Sequence, residues 1–188
     1  MKDPVQVRFS GAGGQGMITA GVILAEAAML DGKNAVQTQT YGPEARLGSS
    51  RAEVIISSRK IAYPEVTVPD VLLCLSLEAA QRYVPRRGPN TVVILDSTNI
   101  GPEVAGTADT HRLPITAAAV QLGSKVVANT VALWATNAIT GLVSAESLRE
   151  AITRRVPERF RQLNILAMEA GEALYVAARA NGADHAVP

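Results

Sequence analysis

The residues whose types and spacing suggest chemistry lie near the start of the chain, where residues 11–16 read GAGGQG, a G-x-G-x-x-G arrangement. An alternating apolar run at 5–10 precedes them and a helix-like run at 17–30 follows. A strand, a glycine turn and a helix N-terminus can present free backbone N–H groups to a phosphate. The same glycines can serve only to let the helix pack closely on its strand. The candidate cofactor-binding residues of this loop are Gly11, Gly13, Gly14, Gln15 and Gly16.

Ordinary dinucleotide binding is disfavoured by the next strand-like run. A dinucleotide site usually has an acidic residue at the end of the second strand, where it binds the ribose hydroxyls. Residues 35–41 read AVQTQTY and contain no acid. Asp31 comes too early, since it belongs to an Asp31-Gly32 turn between the helix and the strand.

A second motif follows this strand, at residues 41–49, which read YGPEARLGS. Arg46 can supply charge-assisted hydrogen bonds to a pyrophosphate, with Arg51 nearby in the sequence. Alternatively, Glu44 and Arg46 pair with each other or with another subunit. Arg46 completes the set of candidate cofactor-binding residues, and we predict no catalytic residue and no metal ligand.

Together these motifs resemble the γ-subunit family of the 2-oxoacid:ferredoxin oxidoreductases. The resemblance covers nearly the whole chain, and within the family it is strongest to the γ subunit of 2-oxoglutarate:ferredoxin oxidoreductase. One departure is Leu47, at a position where the family usually has glycine, and a bulkier residue there restricts backbone approach. The segments that carry the resemblance are 37–46, 48–50, 52–57, 69–75, 127–133 and 163–164.

The resemblance implies membership of an enzyme that decarboxylates a 2-oxoacid on thiamine diphosphate, reduces ferredoxin through iron-sulfur clusters and releases an acyl-CoA. This chain would be a non-catalytic γ subunit, structural and able to contribute to coenzyme A binding. Thiamine diphosphate and the clusters would lie on the α and β subunits, or on a ferredoxin-like δ subunit. The alternative is a free-standing, regulatory nucleotide-binding module that uses the glycine loop.

Composition agrees with a subunit that carries no redox centre. The one cysteine, Cys74, lies in an apolar run and cannot hold an iron-sulfur cluster alone, and the two histidines are isolated from each other. The net charge is +1 without a basic run, so nucleic-acid binding has no electrostatic support. Only 19% of the residues are charged, which suggests a surface covered by partners.

Length and the N-terminal residues bound the organisation and the location. The 188 residues suit one domain, which we place at 1–188 as a single γ domain. Residues 1–4 lead into the first strand without the apolar segment that export requires, which predicts a cytoplasmic protein.

Alternating strand-like and helix-like runs predict an α/β fold with three layers, α/β/α, that is Rossmann-like. The runs at 51–57 and 60–63 are separated by two residues and predict an antiparallel hairpin, so the sheet should be mixed. A buried strand at 71–75 and another at 92–96 enclose a helix that begins after Ser76 and runs to about Val84.

The second half of the chain is predicted to be helical. Ser144 is the expected N-cap of a helix at 145–155, while Pro157 begins and Gly182 ends the last helix. Asn129 and Asn164 are interpreted as structural amides that cap or bridge helices.

Two helices have few charges and must be covered. From 126 to 145 no residue is charged, but six polar residues exclude a membrane span. We predict a subunit interface for residues 126–143, with Trp134 as an anchor. For residues 17–30, burial within the domain and cover by another subunit are equally supported.

Overall fold

The first strand organises the sheet, because strands of both directions pair with it. The computed structural model describes residues 2–41, 49–106 and 109–180, and its described strands form one sheet in the order β2-β3-β1-β4-β5-β6. The strands are β1 (Val5–Ala12), β2 (Asn34–Tyr41), β3 (Ser49–Ser57), β4 (Val71–Cys74), β5 (Val92–Asp96) and β6 (Thr110–Leu113). The helices are α1 (Met17–Leu30), α2 (Leu77–Tyr83), α3 (Ile115–Gln121), α4 (Ala128–Thr140), α5 (Ala145–Arg155) and α6 (Arg161–Ala180).

The predicted mixed sheet is confirmed, but its antiparallel hairpin consists of other strands than those expected. β3 runs antiparallel to both β1 and β2, whereas β4, β5 and β6 continue in parallel from β1. The prediction of a strand at residues 60–63 is wrong, since no strand forms there. The reason is that β1 and β2 occupy both edges of β3, which leaves no edge for a further partner.

The three-layer arrangement is also confirmed. Alternate residues of β1 and β4, such as Phe9 and Leu73, face a core built with α1 and α3 to α6. The other face of β4 and β5, including Leu72 and Leu95, packs on α2. Cys74 is fully buried on this α2 face, as predicted.

Helix starts follow the sequence closely where a serine precedes them. The Ser76 and Ser144 hydroxyls accept hydrogen bonds from the Ala79 and Ser147 amides, at 3.3 and 3.1 Å. The last helix differs from the expectation, since a 3-10 turn (Glu158–Phe160) follows Pro157 before α6 begins at Arg161. The predicted end at Gly182 lies outside the described residues.

The short elements β6 and α3 have no counterpart among the sequence predictions. β6 is four residues long and reads THRL, which lacks the apolar alternation of a strand. β6 forms because it can pair in parallel with the outer edge of β5, in register from Val93 with Thr110 to Asp96 with Leu113.

The interface prediction for residues 126–143 is wrong for α4. This helix packs against α3, α5 and α6 of the same chain, and Val131 is completely buried. Trp134 is 7% exposed and its indole N–H donates to Glu172 Oε2 at 2.9 Å. Gly171 lets α6 approach so closely that an added Cβ would lie 2.7 Å from the Val131 carbonyl oxygen. The uncharged helix is therefore covered from within.

We predict that Val131→Asp destabilises the isolated chain by about 3–5 kcal/mol, because an uncompensated charge would be buried in the core. Thermal or urea unfolding followed by circular dichroism measures the effect. Val126→Asp is the matched control, since Val126 is 79% exposed and should change stability by about 0.5 kcal/mol or less. Equal stability of the two variants would contradict the internal packing of α4.

Candidate functional site

The glycine loop lies at the carboxyl end of β1, next to β4. The helices that follow these two strands lie on opposite faces of the sheet. α1 follows β1 into the large core, and α2 follows the neighbouring parallel strand β4 onto the other face. In open α/β sheets a crevice forms at such a point, and ligands bind there. The fold therefore places the loop where an α/β sheet offers a binding site.

Two of the glycines have backbone conformations that favour glycine. Gly14 has φ +87° and Gly16 has φ +72°, in the left-handed region. A Cβ added at Gly14 would meet nothing within 4 Å, and Gly13 and Gly14 are exposed. The crest of the loop thus offers bare backbone to an approaching group.

The start of α1 is electrostatically open. Its N-cap is Gly16, which has no side chain to cap the helix, and its first turn contains no acidic residue. The first N–H groups of a helix carry partial positive charge and need acceptors, so an anion is favoured here.

Gln15 holds the loop in shape with its own amide. Its Oε1 accepts from the Ala12 N–H at 2.7 Å, and its Nε2 donates to the Leu75 carbonyl at 3.2 Å. Gly11 leaves room for this, since an added Cβ would lie 2.5 Å from Gln15 Oε1. The side chain of Gln15 and the missing side chain of Gly11 therefore shape the loop.

Gly16 has a packing role as well. An added Cβ there would lie 2.6 Å from Asn129 Nδ2, so the glycine lets the start of α4 approach the loop. Both readings of the glycines thus find geometric support, at different positions: Gly11 and Gly16 permit close packing, whereas Gly13 and Gly14 are open.

A cavity of about 400 Å³ lies beside the loop. Its walls come from the loop, the flank of α1, the turn before α4 and the connection from α5 to α6. Most of its lining is apolar, with Phe160 and Val126 partly exposed at 44% and 79%. The lining residues are Gly14, Gly16, Thr19, Ile23, Ser124, Val126, Val127, Asn129, Thr130, Arg155, Val156, Pro157, Phe160, Leu163 and Asn164.

The two asparagines of this wall are structural amides, as predicted. Asn164 accepts from the Thr130 hydroxyl at 2.6 Å and donates to the Phe160 carbonyl at 3.0 Å. Asn129 Oδ1 accepts from the Thr130 amide at 2.9 Å. The apolar wall was missed by sequence reasoning, because Val126, Phe160 and Leu163 are far from the loop in the sequence. The signal that could have pointed to them is the apolar Phe160 between charged residues at 158–161, which read ERFR.

Arg46 and Glu44 lie outside the described residues, so the phosphate-contact prediction for Arg46 stays a prediction. Arg51 is described and is bound within the sheet: its Nη2 donates to Thr40 Oγ1 at 3.0 Å, and its Nε lies 3.8 Å from Glu53 Oε1.

A buried polar cluster supports the loop from the neighbouring strands. Asp96 is fully buried and accepts from the Thr98 and Thr116 amides at 3.1 and 3.2 Å. Asn99 donates to Asp96 at 2.7 Å and to the Leu75 carbonyl at 3.1 Å, the same carbonyl that Gln15 contacts. Because its hydrogen bonds come from backbone amides and from Asn99, Asp96 has a structural role at the carboxyl ends of β4 and β5.

Cys74 and His111 are the described cysteine and histidine, and both are affected by burial. Burial raises the pKa of the Cys74 thiol to about 12, with the Arg8 charge opposing the shift, and burial lowers the pKa of His111. In the part of the chain that the structure describes, no group of three His, Cys, Asp or Glu side chains could hold a metal ion. None of the helices within those same ranges is long and apolar enough to cross a membrane.

Comparison with known proteins identifies the family. The family model described as pyruvate ferredoxin/flavodoxin oxidoreductase matches residues 6–174. The chain therefore belongs to this family, and the predicted resemblance is confirmed.

Individual relatives are similar over most of their length. The 2-oxoglutarate synthase subunit KorC of Methanocaldococcus jannaschii is 45% identical, covering 88% of this chain and 91% of the relative. The pyruvate synthase subunit PorC of Methanothermobacter thermautotrophicus is 30% identical, covering 85% and 89%. A keto/oxoacid ferredoxin oxidoreductase γ subunit from Geobacter sulfurreducens PCA superposes with a TM-score of 0.83 at 43% identity, covering 94% of this chain and 99% of that one.

We predict that Cys74 does not react with a water-soluble disulfide reagent while the chain is folded. At a pKa of about 12 and with no exposed surface, the thiol supplies almost no accessible thiolate at pH 8. Absorbance of the released thiolate should show one equivalent only after denaturation. Stoichiometric labelling within minutes in native buffer would contradict the burial of Cys74.

Proposed function

We propose that this chain is the γ subunit of a 2-oxoglutarate:ferredoxin oxidoreductase. The observation that carries the proposal is the match over most of both chains to a 2-oxoglutarate synthase subunit, at 45% identity against 30% for a pyruvate synthase subunit of similar coverage. This match also favours a subunit over a free-standing nucleotide-binding module. A cytoplasmic location and a single γ domain over residues 1–188 are parts of the proposal.

The assembly would convert 2-oxoglutarate and coenzyme A to succinyl-CoA and CO₂ while two electrons pass to ferredoxin. Partner α and β subunits, with a ferredoxin-like δ subunit, would hold the thiamine diphosphate and the iron-sulfur clusters. The γ chain would contribute a structural scaffold, and its large core, which buries most of α4 within the chain, supports this role.

We further propose that the glycine loop binds a phosphate of coenzyme A. The exposed backbone of Gly13 and Gly14 and the uncapped start of α1 fit such an anion. The adjoining cavity of about 400 Å³ is of the size that small-molecule sites have, and its apolar wall suits the uncharged part of the coenzyme. Gly11, Gln15 and Gly16 would hold the loop open, and Arg46 would add a charge-assisted contact.

Co-expression with the partner subunits tests the subunit assignment. The purified complex should reduce viologen or ferredoxin with 2-oxoglutarate and coenzyme A, with a higher kcat/KM than with pyruvate. The isolated chain should reduce neither viologen nor ferredoxin, because its described residues form no metal site. Viologen reduction by the homogeneous isolated chain, or a complex that assembles and works equally well without it, would contradict the proposal.

The coenzyme A contact is tested by Gly14→Val and Arg46→Ala in the assembled enzyme. Arg46→Ala should remove a hydrogen bond to a charged group, worth roughly 1.5 to 3 kcal/mol, and raise the KM for coenzyme A about ten- to a hundredfold. Gly14→Val should raise this KM as well, because its side chain would block the approach of a phosphate to the backbone. The KM for 2-oxoglutarate should change little, because the thiamine site would lie on other subunits.

Matched controls separate binding from backbone strain and loss of charge. Gly32→Val introduces the same strain at φ +74°, with the same open space, in the turn between α1 and β2. Arg154→Ala removes a surface cation whose partner is Glu150. If the loop variants and the controls leave the KM for coenzyme A equally unchanged in an intact complex, the glycine loop serves packing alone.

A further inference from the structure

A strand without charged residues forms one edge of the sheet, where β2 has no partner on its outer side among the described residues. β2 is eight residues long, and residues 34–40, NAVQTQT, contain neither charge nor proline. Long edge strands are usually protected from pairing by such residues. The opposite edge strand, β6, has four residues and includes His111 and Arg112. Within residues 2–41, 49–106 and 109–180, the β2 edge therefore lacks the protection that charge gives the β6 edge.

An apolar stripe on α1 lies next to this edge. Its residues are spaced by four, three and four positions, which places them along one line of the helix. All are partly or largely exposed, Met29 to 63%. The stripe residues are Ile18, Val22, Ala25 and Met29.

Contacts of neighbouring α1 residues locate the stripe. An added Cβ at Gly21 would lie 2.8 Å from Ala52 Cβ of β3 and 3.6 Å from Gln37 Cγ of β2, so α1 lies over these strands. Thr19 and Ile23, on another flank, line the cavity shared with α4 and α6. The stripe thus occupies the flank of α1 toward the outer edge of β2.

The lack of charge favours a second copy of this chain as the occupant. Around a two-fold axis the same patch meets itself, so any charged residue would face a like charge nearby. Residues 34–40 avoid this in every register, and their glutamine and threonine side chains both donate and accept hydrogen bonds. Charged side chains do lie beside the surface, with Arg51 against Thr40 and with Glu26 and Arg154 near Met29. Each is already paired within the chain, with Glu53, Arg155 and Glu150 respectively.

The size of the surface agrees with a dimer that dissociates on dilution. Eight strand residues span about 27 Å, and a sheet layer with a helix layer is about 20 Å thick. Pairing would bury about 500 Å² per copy and about 1,000 Å² in total, at the lower limit for specific interfaces.

We propose that two copies of this chain associate through antiparallel pairing of their β2 edges, with the α1 stripes packed against each other across the two-fold axis. The pairing would satisfy the outward N–H and C=O groups of β2 and continue the sheet from one copy into the other. It is independent of the coenzyme A contact, which lies at the carboxyl end of β1.

Sedimentation velocity of the full chain, from about 1 to 100 µM, tests the association. We expect a concentration-dependent dimer, and Gln39→Lys or Val22→Lys should raise its dissociation constant at least about tenfold by opposing like charges. Val176→Lys on α6 is the control, because Val176 is 55% exposed and lies off this surface. A monomer at all concentrations, or a dimer that both lysine variants leave unchanged, overturns the proposal.

Cross-linking tests the edge contact itself. Gln39→Cys should form a covalent dimer with a short bismaleimide, whereas Val176→Cys should not, and buried Cys74 gives no background. A dimer in which Gln39→Cys does not cross-link would overturn edge pairing. A monomeric wild type whose lysine variants instead lose the α and β subunits would assign the surface to another subunit and overturn the second copy.

Discussion

A buried ion pair between β1 and β3 fixes the arrangement on which the rest of the molecule depends. Arg8 Nε donates to Glu53 Oε1 at 2.7 Å, and both side chains are less than 10% exposed. The same guanidinium donates to the Val66 carbonyl at 2.6 Å and lies 5.2 Å from the Tyr83 ring centroid. Since either charge alone would be costly to bury, β3 must lie beside β1 with these residues opposite each other.

This constraint has consequences at both ends of the sheet. With β3 fixed on one side of β1, β4 pairs on the other side, and the glycine loop emerges between α1 and α2. β2 is displaced to the outer edge, where α1 covers one of its faces but not its outer hydrogen-bonding groups. The position of β3 between β1 and β2 therefore determines where both the candidate ligand site and the candidate docking edge lie.

The glycine loop illustrates how a single motif combines packing and binding. Gly11 accommodates the Gln15 amide and Gly16 accommodates Asn129, so both are required by neighbouring side chains. Gly14 has open space around it and a positive φ, so its conformation, not crowding, accounts for the glycine. Asn99 and Gln15 converge on the Leu75 carbonyl and thereby connect the loop to β5. A phosphate-binding loop benefits from such rigidity, because its N–H groups must be aligned before the ligand arrives.

The sequence by itself determined the local structure and the family. Alternation in β1, the apolar run of β4 and the serine caps of α2 and α5 depend only on neighbouring residues, so the sequence shows them directly. For the same reason α1, α5 and β5 were predicted with their observed bounds. Only the tertiary structure decided what covers α4, which strands form the antiparallel pair, and which residues line the cavity. Those outcomes depend on distant parts of the chain coming together, as when Gly171 approaches Val131 and when Phe160 and the glycine loop line one cavity. Periodicity shows that a helix must be buried, but whether its own chain or a partner covers it depends on packing between elements.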